Sequence, residues 1–330
     1  MAHLFTLTYM TIKLAPKLSL NEFIQTCTPL AGIPPLEDRF EQRVNDLIDA
    51  VAHFEPSEEE ISTLIQFLRA DRDFLGIILA LSNMSQEKFL RLLTAQRFIQ
   101  GDFGNEWGIN AVHRKIATDD EFVMQLASLF LEGQQNSFVA SQIARFYLNQ
   151  IRLPSNWRQI VLDRQILTGF AYRKLTGEYN DAKGDAIENI IRSTLDEITL
   201  RYGLSHTKGQ VRLVGKEVDH VLPSRDEPFV MIMTTYMETT SSSQTARANE
   251  QREMYLAIQN DNMRHGSKRV LVNFVDGSGW LARRPDLRKL IDSCDYILNL
   301  KTLDRLEAII CKYIPERYFT QSARPVVEEA

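Results

Sequence analysis

The chain has 330 residues, 44% hydrophobic and 25% charged, with a formal net charge of -5, which excludes a disordered, fibrous or collagen-like protein. It is long for one hydrophobic core, so two domains are expected. Charge is uneven, residues 1–60 holding 4 Lys+Arg against 10 Asp+Glu; bulk charge therefore neither announces a nucleic-acid ligand nor excludes one, because binding needs only a local basic surface.

At the start of the chain no basic flank precedes an apolar block, and no later run is long enough to cross a bilayer, so a cytoplasmic protein without a membrane partner is expected. Cys27, Cys294 and Cys311 are widely spaced and lack metal-ligand spacing. They read as buried thiols of a reducing compartment.

Residues 1–150 carry repeated helix-start signals. Ser57 with Glu60, and Thr118 with Glu121, have capping-box spacing and are followed by apolar positions at helical period. The segment GDFGNEWGIN, residues 101–110, breaks two helices, and RLPSNW, residues 152–157, marks the domain junction. The expected division is an all-helical domain, 1–153, and a second domain, 154–330.

From residue 184 the pattern changes. Asp185 and Glu188 are placed to cap a helix that Gly203 stops, and QVRLVGKEVDHVLP predicts a hairpin turning at Gly215. FVMIMTTYM, 229–237, and RVLVNFVDG, 269–277, read as buried strands, with a helix from about 244 between them. Helix, hairpin, strand, helix, strand predicts an α/β layer fold with mixed strand directions.

Alternation along the second hairpin strand places Glu217 and Asp219 on one face, and Glu238 follows the next strand. Three converging carboxylates would suit Mg2+ and phosphodiester hydrolysis. The plainer reading makes them solvated acids of a hairpin and a strand end, and spacing alone does not decide between the two. TTSSSQTAR, 239–247, opens a helix whose N-H groups, with Ser241, Ser242, Ser243, Arg247 and Arg252, can meet a phosphate. Arg283 and Arg284 can face phosphate or base edges, while Trp280 anchors the turn made by Gly277 and Gly279.

The blocks EVDHVLP, VMIMTTYMETTSSSQTARANEQ and LVNFVDGSGWLARRPDL, with CDYILNLKTL beyond, resemble successive blocks of type II restriction endonucleases of the PD-(D/E)XK superfamily, particularly relatives of the group cutting GATC. The resemblance covers roughly residues 180–310. It implies a mixed sheet flanked by helices, a Mg2+-dependent site-specific deoxyribonuclease acting on double-stranded DNA, and a homodimer matched to a palindromic site.

On the matching positions Asp219 is the implied metal ligand, Glu238 its partner, Glu217 a reserve ligand and Gln244 an orienter of the attacking water. Glu188 resembles an additional acid that some members point toward the metal, and equally suits a capped or solvated helix position. The sequence departs from the family where the second acid falls on Met233, whose thioether cannot hold Mg2+, and where Thr240 stands at the lysine position. Glu250 and Glu253 on the next helix are further candidates. A catalytically degenerate DNA-binding protein that keeps the nuclease fold is the alternative, and a protein-interaction module in the helical half a third reading.

Overall fold

A computed structural model of the chain describes residues 11–135, 144, 151, 153–321 and 324–329. Residues 34–181 form one compact unit; the stretch up to Ile33 and that from Ala182 onward form the other. The expected boundary at 153/154 is therefore not where the units divide. β1 (Thr11–Leu14) and α1 (Leu20–Thr26) lie in the second unit, so the first 33 residues do not belong with the helices that follow.

The described elements of 34–181 are helical: α2 (Pro34–Ala52), α3 (Glu60–Ala70), α4 (Phe74–Leu81), α5 (Gln86–Ile99), α6 (Ile109–Thr118), α7 (Asp120–Glu132), α8 (Trp157–Leu162) and the first half of α9 (Arg164–Tyr202). Fully buried Phe67 stacks on Phe74 at 4.4 Å between ring centroids and meets Trp157 edge-on at 5.8 Å. Such pairs contribute about 0.5–1.5 kcal/mol each beyond burial. The cap of α7 is Asp119, whose carboxylate accepts the Phe122 N-H at 2.9 Å, rather than Thr118. Ser57 caps nothing, because its hydroxyl is spent on the Glu59 carbonyl and Thr63.

Helix α9 begins at Arg164, 21 residues before the expected start at Asp185. Asp163 supplies the cap by accepting the N-H groups of Gln165 and Ile166 at 2.9 and 3.0 Å. Leu167, Ala171 and Leu175, and later Ile187, Ile191, Leu195 and Ile198, keep a buried stripe at helical spacing along its length. Gly203, in the left-handed region at φ +65°, ends it as expected.

The five-stranded sheet has the order β2 (Thr207–Val211), β3 (Lys216–Pro223), β4 (Pro228–Tyr236), β5 (Val270–Asp276) and β6 (Tyr296–Leu298). β2, β3 and β4 are antiparallel, while β4, β5 and β6 are parallel, which matches the mixed directions expected. Gly215, at φ +65°, turns the hairpin. Every residue of β5 is buried.

On one face, Leu222, Val230, Ile232, Val272 and Phe274 pack with the second half of α9 and with α13 (Leu306–Tyr313). On the other, Val221, Met231, Leu271, Val275 and Ile297 pack with α10 (Ser243–His265), α11 (Ser278–Ala282) and α12 (Arg284–Asp292). This is a mixed α/β layer fold. Its N-terminal segment contributes Leu14 and Ala31 to the first layer and Leu18, Phe23 and Cys27 to the second.

The segment is tied down by Asp276 at the end of β5, which accepts the Thr28 N-H at 2.6 Å and the Leu300 N-H at 3.0 Å. β1 pairs in parallel with β7 (Val326–Glu329). The three cysteines are free and buried as expected, and burial pushes each thiol up to about 12. Among the described residues no helix is long and apolar enough to cross a membrane.

Candidate active site

The antiparallel β3–β4 ladder ends at the pair His220↔Ile232. One step further Asp219 closes that end, its Oδ2 accepting the Thr234 N-H at 2.8 Å. Its other oxygen lies 3.6 Å from Nζ of Lys208 on β2. The same ammonium donates to Oε1 of Glu188 on α9 at 3.2 Å. Arg192, one turn along α9, reaches Glu188 at 3.3 Å. A helix and two hairpin strands thus bring two acids to one lysine.

Electrostatics set the two acids apart. Burial raises Asp219 above the usual carboxylate value, against the Thr234 hydrogen bond and the Lys208 charge, which lower it. Burial also pushes Glu188 up, but the hydrogen bond and charge of Lys208, with other nearby charges, outweigh it and hold Glu188 below the ordinary value. Environments that separate two neighbouring carboxylates in this way are a feature of functional sites. The site is open: the side chains of Asp219 and Glu188 are 22% and 26% exposed and that of Lys208 is 45% exposed.

His220 lies beside this group, 2% exposed, with Nε2 unpartnered. Burial, then the nearby His206, lower it to about 4. His206 is itself bonded to Asp196 at 2.7 Å. Glu217 is exposed on β3 and adds its charge to the surroundings of Lys208.

Glu238 is engaged elsewhere. Its Oε1 lies 2.5 Å from Nζ of Lys183, whose side chain is 5% exposed, and it accepts the Tyr236 hydroxyl hydrogen bond. Its main-chain carbonyl accepts from Ser278 at 2.6 Å. The acid expected to complete a ligand set with Asp219 is instead the counter-ion of a buried ammonium. Among the described residues no three His, Cys, Asp or Glu side chains are grouped to hold a metal.

Gln244 also departs from expectation. It is fully buried, its Oε1 accepting the Ser241 N-H and its Nε2 donating to the Gly279 carbonyl, both at 3.0 Å. With both ends of the amide committed to main-chain partners and the residue fully buried, Gln244 is not turned to the solvent whose water it was expected to orient. It fastens the serine loop to the start of α11. Gly277 and Gly279 permit this clamp, since a Cβ on either would lie within 2.4 Å of a carbonyl oxygen of Met237 or Thr239.

The serine loop is largely self-satisfied: the N-H of Ser243 goes to Ser241 Oγ at 3.2 Å and the two hydroxyls bond at 2.6 Å. The N-H groups of Ser241 and Ser243 are thus engaged within the loop, by Gln244 and by Ser241. Ser242 remains exposed, as do Arg247, Arg252 and Arg284. Arg283 is held by Asp286 at 3.1 Å and by Thr245 at 2.8 Å. Glu250 pairs with Lys216 at 3.1 Å, and Trp280 is fully buried, the anchor expected.

The layered mixed sheet thus carries an open pair of acids at its hairpin, and the unit exposes Arg247, Arg252 and Arg284. Residues 164–308 match the family model of the DpnII restriction endonuclease. The match runs from the first residue of α9 into α13 and so includes Glu188, Lys208 and Asp219. The matched stretch is 145 of the chain's 330 residues. No curated protein and no solved structure gives a significant match.

Proposed function

We propose that the protein is a sequence-specific endonuclease of the PD-(D/E)XK type that binds double-stranded DNA as a homodimer and hydrolyses a phosphodiester bond in each strand with the help of Mg2+. Its place among relatives of the GATC-cutting group is part of the same reading. What carries it is the inclusion of the Asp219, Glu188 and Lys208 cluster within the stretch that matches the restriction-endonuclease family.

Mg2+ usually takes one or two protein carboxylates and fills its remaining positions with water and substrate phosphate. Asp219 and Glu188, both partly exposed and both turned toward one cation, fit that demand, with Glu217 in reserve. Glu238 and Gln244, placed in the site by the sequence motif, are assigned to the support of the loop instead. When bound, the metal supplies Lewis-acid polarisation of the phosphate and an acidified water.

The chain's own residues set the geometry. The Thr234 N-H fixes the Asp219 carboxylate, Lys208 holds Glu188 beside it, and Arg247, Arg252 and Arg284 are available for DNA phosphates.

The test is incubation of unmethylated phage DNA with the full chain in Mg2+, in Mn2+ and in EDTA. Discrete fragments with either metal and none in EDTA are expected. No fragments in any condition, alongside a salt-sensitive gel shift, would replace this reading with the degenerate DNA-binding protein.

A further inference from the structure

Two lysine–carboxylate centres flank the same sheet, and they differ in one respect. Lys183 is sealed, 5% exposed, against Glu238. Lys208 is 45% exposed and lies within 3.6 Å of both Asp219 and Glu188. We propose that Lys208 is a catalytic residue, its ammonium contacting a non-bridging oxygen of the scissile phosphate. This rests on the endonuclease reading and adds a residue to it.

The argument is one of charge. A phosphodiester brought to Asp219 and Glu188 meets two carboxylates; one Mg2+ would offset two of these three negative charges, and the one left calls for a cation able to face the phosphate from the protein side. Arg192 holds Glu188 from its own helix, one turn away. Lys216 is paired with Glu250. Among these cations Lys208 alone touches both acids, and its flexible stem carries three donors of which the two carboxylates use at most two.

Hydrolysis forms one P-O bond to the oxygen of water and breaks one P-O ester bond. The water's proton passes to solvent and the departing oxygen takes one from solvent. The charge that gathers meanwhile on the non-bridging oxygens is what a preorganised ammonium stabilises, and such charge stabilisation is commonly the largest single contribution to rate. Nothing in this step requires Lys208 to change its protonation.

The experiment compares wild type, Lys208→Met and Lys208→Arg as full chains. Cleavage is followed in single turnover at saturating DNA with Mg2+, and DNA binding in EDTA is measured across a salt series, with melting curves as the check on folding. Lys208→Met is expected to cleave at least about 100-fold more slowly, and its slope of log affinity against log salt should fall by about one phosphate contact. Lys208→Arg, which keeps the charge and the ion pairs, should recover part of the rate and the whole slope; it carries the test if Lys208→Met fails to fold. Cleavage by Lys208→Met within about threefold of wild type overturns the assignment and leaves the endonuclease standing. A wild type that cleaves nothing, with a salt slope unmoved by Lys208→Met, removes both.

Discussion

Asp219 and Met233 are the next opposed residues beyond the last pair of the β3–β4 ladder, so a thioether faces the carboxylate across the end of the hairpin. Met233→Glu would place a third oxygen ligand there beside Asp219. The expected outcome is a lower Mg2+ concentration for half-maximal cleavage, by about tenfold if one further carboxylate–metal contact contributes near 1.4 kcal/mol. Because Met233 is partly buried against the sheet core, a lower Tm should accompany it. Titration of cleavage against Mg2+ checks this, and an unchanged midpoint would mean that the two sides of the ladder end do not share a metal.

Asp219→Asn keeps an oxygen that can accept from Thr234 and removes the charge. Cleavage should fall at least about 1000-fold, the scale of losing a principal electrostatic group, while the melting temperature moves little. Cleavage at near wild-type rate would shift the centre of chemistry away from the hairpin.

For Glu238→Gln the expected signature is the reverse. The amide leaves the 4% exposed Lys183 without its carboxylate, at a cost of about 2–3 kcal/mol once the partial exposure of Glu238 is discounted. Thermal denaturation should show the loss, and the Mg2+ midpoint for cleavage should stay where it is. A raised midpoint with an unchanged Tm would restore Glu238 as a metal ligand.

The hairpin was legible because Gly215 and the flanking β-branched runs leave few other arrangements, and Asp219 came with it. Glu188 was raised only by the family resemblance, beside an equal reading as a capping or solvated residue, because an acid at a helix position looks the same in sequence whether it faces solvent or a neighbouring strand. Lys208 drew no attention for a related reason: its approach to Asp219 depends on the β2–β3 register, which shifts irregularly between Thr207 and Gly209. Gln244 was misassigned because its position at a helix start says nothing of burial, which the close-approaching Gly279 determines. The N-terminal segment was grouped with the helices for want of any local sign that Asp276, some 250 residues later, would hold it.

His220 gives a pH prediction for the metal-free protein. Its folded value, about 4, lies below the 6.5 of an unperturbed histidine, so the unfolded chain binds more protons between those values and stability must fall as pH drops from 6.5 toward 4. The contribution is at most about 3 kcal/mol. Lowered Glu188 adds loss in the same sense further down, while raised Asp219 opposes it. Urea denaturation in EDTA should show the decline, and His220→Phe should flatten it; equal slopes in the two proteins would rule out the buried imidazole as its source.

The pairing of β1 with β7 has a bearing on how the protein is made. Core residues of the α/β unit come from both sides of a 148-residue helical insertion, so a ribosome must have passed residue 329 before both edges of that unit exist together. A nascent chain halted within β4, β5 or β6 has Asp219 but lacks β7, the strand that pairs with β1. For a protein read as a DNA-cutting enzyme, this order delays assembly of the complete unit until β7 has been made.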